Sequence, residues 1–358
     1  MIIWMTLSIL IGIALFSYIP DCIRGRSLVE LKKITVIIPA RNEERNIGRL
    51  LESLQEQIYP HIEVLVMDDH STDRTVDIAK SFDVKVISLP SLPDGWLGKS
   101  WGCWNGAKAA TGELLLFLDA DTVLERDGVQ HLMAIYYERK TTILSVHPYH
   151  EMIRPYEYLS SFFHMLVCSS LSAFHFLQEY KEPSGAFGQC MLCKKRDYFK
   201  FGGHAVQRGA LLENMAIGQY VLQAGGSVAC ISGKGAVSMR MYPDGMQSFV
   251  EGWSKNFAKG ASITNRWMLL FIALWINGII TSCVHLLQPS AAVLFFYLLF
   301  VVQIYWVLQR IGNFGIGSAL LYPVHVFIFL SVFFLFFVKT FLRRNVSWKG
   351  RAIQMKKE

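Results

Sequence analysis

The sequence predicts an α/β protein whose mostly parallel sheet is flanked by helices, with apolar, membrane-spanning helices at both ends. Three observations carry this. Between Ile34 and Leu118 short apolar runs alternate with helical patterns, as successive βαβ units require. Residues 114–118 (LLLFL) form an unbroken apolar run, the signature of a strand buried on both faces. Uncharged stretches at 2–19, 267–287, 291–308 and 319–338 are each long enough to cross a bilayer core.

Residues 2–19 lack the basic leader and small-residue cleavage site of a signal peptide, so they read as a transmembrane anchor occupying residues 1–22. Arg24, Arg26, Lys32 and Lys33 follow and place the next region on the cytoplasmic side. Strands are then expected at 34–38, 62–67, 84–88 and 114–118. Helices are expected at 47–57, where apolar residues recur at helical spacing, at 72–80, opened by Ser71, and at 100–111. Residues 156–178 are apolar enough to span, but a crossing there would put 185–260 on the opposite side from Asp121. They read instead as one or two interfacial helices, with His164 and His175 in structural roles. Three crossings within 267–340 would leave the basic tail, 341–358, outside, whereas two would return it to the cytoplasm; the sequence leaves both open.

The formal charge of +7 comes largely from residues beside apolar spans, such as Arg343, Arg344, Lys349 and Arg351. Anionic membrane lipids explain it better than nucleic acid does. Cys190 and Cys193 form a lone C-x-x-C among seven scattered cysteines, which fits buried thiols in a reducing compartment better than a zinc or redox site.

The chemistry concentrates at strand ends. After the first strand comes Pro39-Ala40-Arg41-Asn42-Glu43-Glu44, after the second Asp68-Asp69-His70-Ser71-Thr72-Asp73, and after the fourth Asp119-Ala120-Asp121. In an open α/β sheet these clusters share the rim where ligands bind. Carboxylates gathered without partners repel one another, so a cation or a ligand rich in hydrogen-bond donors belongs among them. Mg²⁺ or Mn²⁺ suits such oxygen donors and a diphosphate. Ser71 and Asp73 are expected to cap the following helix.

The order PARNEE, VLVMDDHSTDRT, GKSWGCWNGAKAATGELLLFLDAD resembles the inverting family 2 glycosyltransferases over about residues 34–260. The resemblance implies the Rossmann-like GT-A fold for a cytoplasmic domain at 33–262. It implies that Pro39, Ala40, Arg41, Glu43 and Asp69 hold the uridine of a UDP-sugar. Lys99 and Asn105 correspond to the family's lysine and asparagine ahead of its D-x-D, which falls on Asp119 and Asp121, the latter being the more direct metal ligand. In most members a Glu-Asp pair opens the helix that supplies the general base; this chain has Glu213-Asn214. An amide cannot accept that proton, so either Glu213 takes the role or the register of the motif shifts; Glu213 is the candidate base. Arg240 and Lys255 are candidates to neutralise the departing diphosphate.

The box Asp94-Gly95-Trp96-Leu97-Gly98-Lys99-x-Trp101 narrows the resemblance to family members that glucosylate carotenoid acids and to hopanoid-associated members. It implies UDP-glucose as donor, a lipid-soluble acceptor arriving from the bilayer, and other pigment-pathway enzymes as partners. Two alternatives stay open: another lipid acceptor (hopanoid, diacylglycerol, sphingoid or polyprenyl phosphate), or an inactive nucleotide-sugar-binding membrane scaffold.

Overall fold

The computed structural model describes residues 1–22, 31–176, 182–206, 208, 213–253, 264–342, 346–348 and 351–353, without the side chains of 213, 214 and those after 335. Its centre is a seven-stranded sheet. Four strands follow the predicted βαβ order: β1 (Ile34–Ala40), β2 (Ile62–Asp68), β3 (Lys85–Ser88) and β4 (Leu114–Leu118). β5 (Thr122–Leu124) and β7 (Tyr149–His150) leave the main sheet and pair instead with β10 (Val237–Met239). The main sheet is completed by β6 (Ile143–His147), β8 (Cys190–Lys194) and β9 (Val228–Ser232), giving the order β3-β2-β1-β4-β8-β6-β9. All its neighbours are parallel except β8, which runs antiparallel to both β4 and β6.

The unbroken apolar run of β4 has a direct cause in this layering. Leu114, Leu116 and Leu118 join Val36, Ile38 and Leu50 in one core, while Leu115 and Phe117 join Ile37 and Met67 in another. Alternate side chains thus enter opposite layers, and neither face meets water. The first layer is built on α2 (Ile47–Gln55) and α5 (Gly128–Arg139), the second on α4 (Gly98–Ala109). A Cβ on Gly106 of α4 would lie 2.4 Å from Ile37 Cγ2, so only glycine lets this helix sit so close to β1. The helix α3 (Thr75–Lys80) begins later than the sequence predicts. Ser71 does not cap it but accepts the Asn42 N–H at 3.1 Å, whereas Asp73 accepts the Thr75 N–H at 3.0 Å.

The second core continues into an apolar helical layer. The amino-terminal helix α1 (Ile2–Phe16) packs on two carboxyl-terminal helices, which are numbered α9 (Arg266–His285) and α10 (Ala291–Ile311) after α6–α8 below. These last two are, among the described residues, long and apolar enough to cross a membrane. Close approach comes from small residues and side-chain hydrogen bonds. Ser8 Oγ donates to Trp275 O at 3.0 Å, Gln303 Nε2 donates to Ile9 O at 2.9 Å, and a Cβ on Gly12 would strike both Gln303 and Trp275. α11 (Gly315–Leu320) and α12 (Tyr322–Leu342) follow, and the residues after 342 that are described form a short hairpin.

The stretch expected to lie on the bilayer differs from that expectation. It folds as a 3₁₀ turn (Pro155–Ser160) and helix α6 (Ser161–Ser170), whose Phe162, Phe163, His164, Met165 and Leu166 are all buried. Phe162 stacks on Trp275 at 5.5 Å, and α6 also packs on α10 and α12. Its apolar character is therefore satisfied by protein neighbours, as a bridge between sheet and helices.

Candidate active site

Strand order reverses between β1 and β4, the place where an open α/β sheet forms its ligand crevice. The carboxyl ends of β1, β2 and β4 meet there. Two of their loops are tied by a dense set of hydrogen bonds. Thr75 Oγ1 accepts the Glu43 N–H at 2.7 Å, Asp73 accepts the Glu44 N–H at 3.1 Å, and Asn42 Oδ1 accepts the Thr72 N–H at 2.8 Å. Asn42 and His70 hold left-handed conformations with φ of 54° and 55°, which turn both loops over the strand ends.

Of the paired aspartates, Asp68 is used by the turn, accepting the Ser71 N–H at 3.1 Å. Asp69 faces the rim and pairs with Arg41 at 3.0 Å. A Cβ on Gly98 would lie 2.3 Å from Asp69 Oδ2, so the first residue of α4 must be glycine for this carboxylate to keep its place. Pro39 and Ala40 form the end of β1 below them, and Ala40 O accepts the Asp69 N–H at 2.9 Å.

One residue beyond Gly98, Lys99 Nζ lies 2.6 Å from Asp119 Oδ1 and donates to Gly188 O at 3.2 Å. Gln189 O accepts the Asp119 N–H at 3.0 Å. Gly188 and Gln189 thus complete the floor of the D-x-D turn. They lie inside GAFGQC, but their part is backbone, which residue identity does not reveal. Half-buried Asp121 has its carboxyl pushed up to about 8, first by burial, then by the charges of Asp119 and Glu43, with Lys99 opposing. Glu43 therefore belongs to the same electrostatic cluster as the D-x-D. Its carboxylate also accepts from Asn46 Nδ2 at 2.9 Å.

Two neighbouring carboxylates, Asp119 and Glu43, raise the proton affinity of Asp121; together they match the hard oxygen set that a divalent cation prefers, and Asp121 with Asp119 would hold such an ion. Asn105 Nδ2 donates to Trp101 O at 2.8 Å, one turn back along α4. Arg240 differs from its expected position: its Nη2 and Nε both donate to Oε1 of buried Glu157, at 2.7 and 3.1 Å, so its charge is already matched. Glu157 also accepts the Ile153 and Arg154 amides. This carboxylate was not singled out from the sequence, because its partner lies far along the chain.

Glu213 opens α8 (Glu213–Gln223), and its side chain, like Lys255 as a whole, lies outside the described residues. α7 (Lys195–Lys200) precedes it. Arg208 lies beside the rim: Leu97 N–H, next to Gly98, donates to Arg208 O at 3.1 Å. A Cβ on Gly218 of α8 would strike the Ala186 amide at 2.5 Å, so the helix backbone rests on the Gly185–Ala186 segment. Beside Gly98, Trp96 meets Trp101 at 5.0 Å and Trp104 at 6.2 Å, and Lys108 Nζ sits 5.5 Å from the Trp101 ring. This half-buried aromatic group forms one wall next to the polar rim.

Comparison with known proteins agrees with this geometry. Residues 35–199 match the family described as Glycosyl transferase family 2. The 4,4'-diaponeurosporenoate glycosyltransferases of Staphylococcus aureus strains MRSA252 and USA300 are each 34% identical to this chain over 337 residues, covering 91% of it and 90% of their own length. Among solved structures, the mannosyltransferase PcManGT of Pyrobaculum calidifontis, in complex with GDP-Man and Mn²⁺, superposes with a TM-score of 0.52 at 14% identity, covering 95% of this chain and 99% of its own. At that identity the likeness speaks to the fold, a GT-A type sheet with its helices. The chain is therefore a glycosyltransferase and belongs to glycosyl transferase family 2.

Proposed function

We propose that this enzyme transfers glucose from UDP-glucose to a carotenoid acid of the 4,4'-diaponeurosporenoate type, with inversion at the anomeric carbon. The observation that carries the proposal is the convergence of Asp69, Asp119 and Asp121 at the switch point, held by Arg41, Gly98 and Lys99. The acceptor class rests on the relative's name together with the Trp96–Trp101–Trp104 wall, an apolar surface beside a polar rim.

In this reading Arg41 fixes Asp69 so that its outer oxygen meets the uridine, while Pro39, Ala40 and Glu43 shape the base pocket. Lys99 orients Asp119 and lends positive charge where the diphosphate lies, a charge to which Lys255 adds in this proposal. Asn105 supports this wall by holding the turn at Trp101. Asp121 and Asp119 would hold a Mg²⁺ or Mn²⁺ ion, which would supply charge neutralisation to the leaving diphosphate. Arg240 acts at one remove, fixing Glu157 and through it the loop that follows β7.

Glu213, at the start of α8, takes the proton when the acceptor is an alcohol. A carboxylic acid acceptor is already ionised near neutral pH and needs little base assistance. That chemistry accounts for Asn214 standing where most relatives carry aspartate. The apolar helices α1, α9, α10 and α12 anchor the enzyme in the cell membrane as a multi-pass protein, with the rim facing the cytoplasm and its nucleotide sugar. Membranes carrying the protein should transfer labelled glucose from UDP-glucose to 4,4'-diaponeurosporenoate in a divalent-cation-dependent way. Transfer to hopanoid, diacylglycerol or polyprenyl phosphate instead would reject the acceptor assignment.

A further inference from the structure

A second cluster of chemically capable side chains lies away from the rim, where the sheet meets the helical layer. His147 ends β6, His150 ends β7 and His164 lies in the first half of α6. All three are buried, at 2%, 1% and 1% exposure. One ring nitrogen from each lies within 4.8 Å of the others. The His150 and His164 rings are 3.7 Å apart between centroids, and His147 stands 4.8 and 5.7 Å from them.

The cluster is unusual in what it lacks. His147 Nδ1, His150 Nδ1 and His164 Nε2 are buried with no hydrogen-bond partner among the described residues. Buried polar atoms are nearly always paired, so three orphans in one place call for a ligand. Phe187, Trp253 and Phe314 close the surroundings, with ring centroids 4.9 Å from His147 and 4.9 and 5.9 Å from His164 respectively. The two phenylalanine rings supply neither donor nor acceptor, and the indole N–H of Trp253 is itself buried without a hydrogen-bond partner among the described residues. Burial pushes His147 down to about 4, and burial with the neighbouring imidazoles holds His150 and His164 well below the usual range. Each ring therefore keeps a lone pair.

We propose that His147, His150 and His164 bind one imidazole-preferring transition-metal ion, Zn²⁺ foremost, which clamps the catalytic sheet to the apolar helices. Zn–N bonds of about 2.0–2.1 Å need nitrogens about 3.3 Å apart, so the nitrogens must draw in while the His150 and His164 rings swing apart from their 3.7 Å contact. The fourth position falls to water or hydroxide, the latter reducing the charge buried with three neutral ligands. The backbone supports the same clamp: His150 pairs with Gly312, and its carbonyl accepts the Asn313 N–H at 3.0 Å, at the junction of α10 and α11. This ion is separate from the Mg²⁺ or Mn²⁺ of the rim, since it uses nitrogen ligands and lies in a closed, apolar place.

The test is elemental analysis of the full-length protein purified in detergent and dialysed against EDTA to strip loosely held rim cations. We expect about one zinc per chain to survive dialysis, because all three histidines are buried away from the chelator. Asp121→Ala should keep the zinc, and His150→Ala or His164→Ala should lose it. Growth with cobalt in place of zinc should give the visible absorption of Co²⁺ held by nitrogen ligands in wild-type protein, a readout that needs no variant to fold. Folded wild-type protein without transition metal and without a cobalt spectrum would overturn the proposal, as would zinc retained in both histidine variants.

Discussion

Gly98→Ala is the sharpest perturbation of the rim, because it adds one methyl group and changes no charge. The new Cβ would stand 2.3 Å from Asp69 Oδ2 and 3.2 Å from Asp69 Cγ, against an ordinary contact of at least 3.4 Å. Asp69 must therefore retreat by about 1 Å, and its 3.0 Å pairing with Arg41 must stretch or break. A displacement of about 1 Å in a positioning group costs on the order of a hundredfold in rate. The fold has no reason to weaken, since alanine is the better helix former. The expected result is a fall of about a hundredfold in kcat/KM for the nucleotide sugar with an unchanged or slightly higher Tm. Kinetics against UDP-glucose and thermal melting of the same sample read both. Donor kinetics within about threefold of wild type would refute the idea that Asp69, held against Gly98, positions the donor.

Other predictions follow from the same geometry. Because the Asp121 carboxyl stands at about 8, a cation must displace its proton below that pH. Mn²⁺ affinity should therefore fall by up to about tenfold per pH unit on acidification, read by titration calorimetry, and Asp121→Asn should remove both the binding and its pH dependence. Glu213→Gln should cost at least about a hundredfold in kcat with an alcohol acceptor but little with a carboxylic acid acceptor. An equal loss with both would contradict the assignment. Arg240→Met should destabilise by roughly 3 kcal/mol, because it leaves Glu157, 2% exposed, as an unpaired buried charge. Burial alone would raise the Glu157 carboxyl, yet the bonds from Arg240 and the Ile153 and Arg154 amides hold it below the usual range. Its stabilising contribution is therefore complete above the ordinary carboxylate range and lost as pH falls through its lowered pKa. Glu157→Gln should abolish that acid-dependent part in denaturant titrations at decreasing pH.

The first half of the fold was legible because its signals are local. LLLFL identifies a strand buried on two faces, and the polar clusters after it and after the first two strands mark one rim whatever the later chain does. What escaped is long-range. Nothing in CMLCK announces that β8 enters the sheet antiparallel between β4 and β6. Composition also does not distinguish a helix facing lipid from one facing protein, which is why α6 read as interfacial although Trp275 and its neighbours cover it. Arg240 read as available for a diphosphate because its partner, Glu157, stands 83 residues earlier. Gly98 lay inside a recognised box, but the need for glycine comes from Asp69 approaching from another strand. The three histidines are spaced irregularly along the chain, and only the turn from β6 to β7 and the burial of α6 bring them together.

As proposed, the carboxylates at the ends of β1, β2 and β4 form one nucleotide-sugar site that acts on a lipid acceptor. The most direct measurement is transfer of labelled glucose from UDP-glucose to 4,4'-diaponeurosporenoate by membranes carrying either wild-type protein or Asp121→Ala. A glucosyl ester of inverted configuration is expected from the wild type and none from the variant. Equal product from both, or none from the wild type with any lipid acceptor, would contradict it.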